Sequence, residues 1–184
     1  IIFEGSPEEI QFISDSTVQQ FIRGFESRHD ALTGIAPISQ GEKRFREEMA
    51  RLQRHKIVFS LILFTVQNLE EINEKAGHVM GQTAIKNFTE ELGRNLRLTD
   101  TCYRYDLNRI MVLLPNTDME QSRNVCAKLA TEMQVNRIIA EQPYNDFCFS
   151  VSAGFSEAKE DSNLENLLAG AISSQPMFYE FRVC

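Results

Sequence analysis

The 184-residue chain has four cysteines, Cys102, Cys126, Cys148 and Cys184, and no Cys-x-x-Cys pair among them. That spacing argues against a zinc site and a redox dithiol. Cys102 and Cys148 lie in apolar runs and read as small core residues, a usage that suits a reducing cytoplasm. The histidines His29, His55 and His78 are scattered, and none has a carboxylate or cysteine partner at metal-ligand spacing. Ser60, Ser150 and Ser152 lie in strand-like runs without a Gly-x-Ser-x-Gly elbow, so nucleophilic hydrolysis is not indicated. Long apolar runs are also missing. The longest, Ile57 to Val66, contains Ser60 and Thr65 and is too short to span a bilayer. A basic excess is absent: 19 Lys and Arg stand against 26 Asp and Glu, a net charge of -7. General nucleic-acid binding, which depends on clustered cations, is therefore not expected, although a local basic pocket could hold a small anion.

What is present is the composition of a folded domain, 42% hydrophobic and 24% charged, long enough for one well-buried core and a flanking element. The chain opens at Ile1-Ile2-Phe3 with no signal-peptide pattern and reads as a fragment of something longer. From Ser6, a plausible N-cap followed by Pro7, apolar residues Ile10, Ile13, Val18, Phe21, Ile22 and Phe25 recur at helical spacing. Two readings stand: a core-packing helix, or a signalling or dimerising connector from an upstream domain.

Beyond a loop marked by Gly34, Pro37 and Gly41, a polar helix is expected from about Glu42 to His55, with "REEMARLQRHK" as a solvated face. The run "IVFSLILFTVQ" reads as a buried strand. A short helix over Leu69 to Lys75 follows, then a glycine-marked turn at "AGHVMG" and an amphipathic helix from Gln82 to Leu96 with Ile85, Phe88, Leu92 and Leu96 as its stripe. Cys102–Tyr105 and Ile110–Leu114 read as a hairpin. Further on come a helix over Asp118 to Met133, a strand at "DFCFSVSAGF" and a helix from Asn163 to Ile172. Phe178 to Val183 either forms an edge strand or simply packs on the sheet. The alternation predicts an α/β (α+β) sandwich, one mixed central β-sheet surrounded by helices.

The hairpin turns through Asp106-Leu107-Asn108-Arg109, which contains no glycine although tight turns favour it. Several strings around this knot resemble the GGDEF domain family, the diguanylate cyclases that condense two GTP into cyclic di-GMP. "HDALTGI" looks like the family's D-x-L-T-G-L, "INEKAGHVMGQ" is similar to I-N-D-x-x-G-H-x-x-G-D, and "LLPNTD" and "FSVSAGF" resemble its strand ends, so the likeness runs from about Asp30 to Gly170. It implies a nucleotidyl-cyclase-like sheet, with residues 1–29 as an N-terminal connector helix and 30–184 as the GGDEF domain.

On that register the signature tetrad and its Phe fall on Asp106, Leu107, Asn108, Arg109 and Ile110, and none is retained. Attack of a ribose hydroxyl on an α-phosphate needs magnesium, and magnesium needs hard oxygen ligands, chiefly carboxylates. The family's two acidic positions correspond to the neutral Thr65 and Asn108. Its phosphate-binding Lys corresponds to Glu70, and its guanine-contacting Asp to Gln82, although the partner Asn73 remains. The family's A-L-Y-x-A-K helix is replaced by "AISSQPMFYEF", where Pro176 would interrupt a helix. The resemblance therefore implies a degenerate member that is not an enzyme and takes no cofactor or metal.

One family feature survives. Arg97-Leu98-Thr99-Asp100 matches the inhibitory R-x-x-D motif, five residues ahead of the former signature, and Lys128 corresponds to the site's third basic residue. An Arg fork can bind a guanine edge or a phosphate, and an Asp carboxylate can accept from guanine N–H groups. Local structure is the competing account: Arg97 suits a helix C-terminus and Asp100 a turn. The leading expectation is a cytoplasmic cyclic di-GMP receptor using Arg97, Asp100 and Lys128, joined to an upstream sensory domain, with no nucleic acid and no membrane insertion. The alternative is a ligand-free dimerisation or scaffold module, as a homodimer or with a protein partner.

Overall fold

A computed structural model describes residues 36–135 and 148–182. The expected connector over residues 1–29, its boundary at residue 30 and the "HDALTGI" string lie outside them, as does Cys184. In chain order the elements are β1 (Ala36–Pro37), α1 (Ile38–His55), β2 (Phe59–Val66), α2 (Leu69–Ala76), α3 (His78–Asn95), β3 (Thr101–Arg104), β4 (Arg109–Pro115), α4 (Met119–Val135), β5 (Cys148–Glu157), α5 (Leu164–Ser173) and β6 (Met177–Arg182).

The strands form one sheet of order β1-β3-β4-β2-β5-β6. Only β1 with β3 is parallel; every other neighbouring pair is antiparallel, so the sheet is mixed. Central β2 is apolar on both faces because both are covered, as a near-continuous hydrophobic run demands. Its even residues Ile62, Phe64 and Val66 meet Ile85, Phe88 and Leu92 of α3 and Cys126, Leu129 and Met133 of α4. Its odd residues Phe59, Leu61 and Leu63 meet Phe45, Met49 and Leu52 of α1 and Leu167, Leu168 and Ala171 of α5. Period-two alternation thus builds two cores around one sheet, which is the sandwich expected from sequence.

Several boundaries differ from the sequence reading. Helix α1 begins at Ile38 rather than Glu42, directly after the two-residue β1, with Pro37 at its N-cap and no side-chain cap. Strand β2 begins at Phe59, since Ile57 is still exposed. The expected turn at "AGHVMG" shrinks to a single residue: Gly77, at φ 86, ends α2 and starts α3, whereas Gly81 is buried inside α3. A Cβ at Gly81 would collide with the Asn73 side chain, so glycine there lets α2 and α3 pack closely. Residues 177–182 are the edge strand β6, paired with β5, which resolves the alternative left open at that segment.

Helix α4 starts with a reciprocal cap. Asp118 Oδ1 accepts from Gln121 N at 2.8 Å while Gln121 Oε1 accepts from Asp118 N at 3.0 Å. Asn163 caps α5 by accepting from Asn166 N at 2.7 Å. Both helices therefore start where their capping residues dictate, and α4 in turn sets the position of Lys128.

Candidate functional site

The glycine-free knot joins β3 to β4 without any left-handed residue; among the described residues positive φ occurs only at Lys56, Gly77 and Asn116. Asp106 Oδ1 accepts from Asn108 N at 3.1 Å, an Asx turn. Arg104 donates through Nε to Asp106 O and through Nη2 to Leu107 O, both at 2.6 Å. Asn108 ties the turn to β2: its side-chain Nδ2 donates to Val66 O at 3.1 Å and its backbone carbonyl accepts from Val66 N at 2.8 Å. Side chains thus do the work that a glycine would otherwise do, and Leu107 is left 80% exposed at the tip.

Beside the turn lies a cleft of about 350 Å³ whose lining includes Thr65, Gln67, Arg109, Ser152, Pro176 and Phe178. Among the described residues Arg109 is its one charged lining residue. The Arg109 guanidinium reaches Asp106 Oδ2 at 3.5 Å, a half-exposed contact, and its Nε is buried without a hydrogen-bond partner. Asn73 and Gln82 belong to α2 and α3 and do not line this cleft. Among the described residues no three His, Cys, Asp or Glu side chains converge as a metal site.

The R-x-x-D segment lies between α3 and β3. Asp100 closes it on itself: its N–H donates to Arg97 O at 3.0 Å, and its Oδ2 accepts from Arg97 N at 3.0 Å. The Asp100 carboxylate is thereby spent on the turn, as local structure would have it. Arg97 is exposed and lines a second cavity, of about 420 Å³, together with Lys128, Asn116, Gln121 and Asn124. Asp100 is not part of that lining. The fold therefore unites Arg97 and Lys128, residues 31 apart in sequence, and holds Asp100 behind them. Sequence reasoning missed Asn116, Gln121 and Asn124. The string Pro115-Asn116-Thr117-Asp118 carried a signal, since Asn tolerates the left-handed φ of 50 adopted by Asn116 between β4 and α4.

Residues 27–173 match the family described as "Diguanylate cyclase, GGDEF domain". The chain belongs to the GGDEF family. Among curated relatives, the diguanylate cyclase DgcS of Shewanella oneidensis is 28% identical over 142 residues, covering 77% of this chain and 46% of that protein. DgcP of Pseudomonas aeruginosa is 30% identical over 100 residues, covering 54% of this chain and 15% of that protein. The chain thus spans less than half of the curated relatives it matches. Among solved structures, the GGDEF domain of DgcB from Caulobacter crescentus in complex with c-di-GMP superposes with a TM-score of 0.72 at 17% identity, covering 80% of this chain and 86% of that one. The diguanylate cyclase SiaD in complex with its activator SiaC, from Pseudomonas aeruginosa, gives 0.72 at 24% identity, covering 91% and 65%.

Magnesium, which GGDEF chemistry implies, requires hard oxygen donors. In this GGDEF domain the groups at and beside the turn are the Thr65 hydroxyl of β2, an Asn108 amide already donating to Val66 O, the Arg109 guanidinium, and the Asp106 carboxylate, which already accepts from Asn108 N and faces Arg109. That set does not fit a magnesium ion.

Burial raises the Asp100 carboxyl above its ordinary 3.8, against the lowering pull of the Arg97 N–H, the Arg97 charge and the Thr99 hydroxyl. The folded state therefore binds this proton more tightly than the unfolded chain. Its contribution to stability is full below pH 3.8 and is lost as pH rises through the folded value. Asp100→Asn is expected to escape that loss, so its thermal midpoint should gain on the wild type between acidic and neutral pH. A midpoint difference independent of pH would contradict this.

Burial likewise pushes the Cys102 thiol up to about 12 and the Cys126 thiol to about 11, so neither is a thiolate nucleophile at neutral pH. Among the described residues no helix is long and apolar enough to cross a membrane.

Proposed function

We propose that this GGDEF domain is a receptor for cyclic di-GMP that does not synthesise it. The observation that carries the reading is the cavity shared by Arg97 and Lys128. Among the described residues two cations and three neutral amide side chains line it and no carboxylate does, in a chain whose net charge is -7. Local positive charge against that background selects a small anion with hydrogen-bonding edges. Arg97 supplies a planar fork, Lys128 a point charge, and Asp100 fixes the backbone from which Arg97 projects. A DgcB GGDEF domain of the same fold is known in complex with c-di-GMP, which makes the ligand class a natural one for this scaffold. The replacement of both acidic positions by Thr65 and Asn108 supports the absence of turnover.

The variants separate the roles. Arg97→Ala should weaken cyclic di-GMP binding by about tenfold or more, the cost of removing a charged hydrogen-bonding partner, and Lys128→Ala by less, because Lys offers no fork. Isothermal titration calorimetry at fixed salt is the measurement. Unchanged affinity in Arg97→Ala would reject this site. A ligand-free dimerisation or scaffold role is favoured by one observation, the full exposure of Leu98 together with Leu107 at the hairpin tip. It predicts self-association or protein capture that Leu98→Ser abolishes, with no heat on adding cyclic di-GMP.

A further inference from the structure

Strand register places four residues in one row across the sheet: Arg109 of β4 opposite Thr65 of β2, Thr65 opposite Ser152 of β5, and Ser152 opposite Phe178 of β6. Residues paired across neighbouring strands present their side chains on the same face, so all four look into the 350 Å³ cleft that each of them lines. Three strand spacings separate Arg109 from Phe178, roughly 14 Å between backbones, and both side chains lie over the space between.

The two ends of the row differ in chemistry. At one end Arg109 has a buried Nε with no hydrogen-bond partner among the described residues, where its ion pair is a 3.5 Å contact with Asp106 at the rim. Such half-exposed pairs contribute little and yield readily to a better-placed anion. At the other end Phe178 is 70% and Ile172 55% exposed, with Pro176 between them, although all three line the cleft. The middle is neutral and polar: Gln67 Nε2 donates to Ser152 Oγ at 2.6 Å, and Thr65 stands beside it. A cleft of this size with a cation at one end, hydroxyls in the centre and an aromatic face at the other is built for an amphipathic anion.

We propose that this cleft binds, without a metal, an oxyanion carried on a planar ring of nucleoside-monophosphate size, the anion on Arg109 and the ring against Phe178. The cation that discourages magnesium here takes over the neutralising role itself. The site shares no lining residue with the Arg97 and Lys128 cavity, so it stands or falls independently of the cyclic di-GMP reading.

The test is a calorimetric titration of AMP into the purified chain in excess EDTA, with inorganic phosphate as the ring-free control. Saturable AMP binding is expected, tighter than phosphate, weakened about tenfold or more by Arg109→Gln and several-fold by Phe178→Ala. Arg97→Ala should leave it unchanged. Phosphate binding should fall with Arg109→Gln and ignore Phe178→Ala. Circular dichroism checks folding; should Arg109→Gln not fold, Arg109→Lys must keep part of the affinity that Phe178→Ala loses. Absence of AMP binding at millimolar concentration, binding that needs magnesium, or binding indifferent to both Arg109 and Phe178 substitutions would overturn the proposal.

Discussion

No cyclic di-GMP is expected when the purified chain is incubated with GTP and excess magnesium, even over hours and at protein concentrations that force dimerisation. The reason is electrostatic. Phosphoryl transfer of this kind depends on metal charge placed against the triphosphate, and metals contribute several kcal/mol of transition-state stabilisation. At and beside the turn between β3 and β4 this chain offers a hydroxyl, an amide, a guanidinium and the Asp106 carboxylate, which already faces that guanidinium. A cation about 4 Å from Arg109 would meet a repulsion of roughly 4 kcal/mol per unit charge at an effective dielectric of 20, twice that for a divalent ion before screening. Glu70 adds repulsion for phosphates in the first turn of α2, where a helix N-terminus would otherwise welcome them. Because these substitutions lie on β2, α2 and the β3–β4 turn, restoring the turn alone with Asn108→Asp and Arg109→Glu is expected to yield no measurable turnover. Product formation by the unmodified chain, detected by liquid chromatography and mass spectrometry, would contradict the account.

Phe88→Ala is expected to destabilise the domain by about 3–5 kcal/mol, the usual cost of truncating a buried aromatic. Phe88 is 1% exposed on the inner face of α3 and touches two other rings, Phe64 at 5.7 Å edge-on and Phe149 at 5.5 Å. It therefore ties α3 to both β2 and β5, and its loss removes two aromatic pairs as well as apolar burial. A shift of the thermal midpoint by about 6–20 °C follows from the usual scaling for a domain of this size. The exposed Leu107→Ala serves as control and should leave the midpoint nearly unchanged. A Phe88→Ala midpoint within a degree or two of the wild type would mean that the core on that face is packed differently.

How much of this was legible in the sequence depends on which residues carry short-range signals. Strand β2 was plain because a ten-residue apolar run with no helical period has few other fates, and the hairpin was plain because β-rich runs flank a polar knot. The start of α1 was not legible: Pro37 gives no side-chain cap and the first turn has no acidic residue, so the chemistry that usually announces a helix is missing. Strand β1 is two residues long, too short for any periodicity, and exists only because it pairs with Tyr103 and Arg104. Gly81 looked like a turn residue because glycine usually is one; its helical position became intelligible once Asn73 was seen against it.

The candidate site divides in the same way. The motif placed Arg97 and Lys128 by family spacing, and the fold brings them into one cavity, but Asp100 was read as a ligand-facing group while its carboxylate also holds the Arg97 backbone. The row from Arg109 to Phe178 was invisible to sequence, because it depends on three successive strand registers, and a one-residue slip in any of them would turn a member to the other face.

The most direct measurement is a calorimetric titration of cyclic di-GMP into the folded chain, with GTP in a parallel cell. The receptor reading predicts saturable binding at micromolar affinity or tighter that is lost in Arg97→Ala, while GTP remains unconverted. No heat at high ligand concentration, from a chain shown to be folded by circular dichroism, would contradict it and leave the scaffold reading in its place.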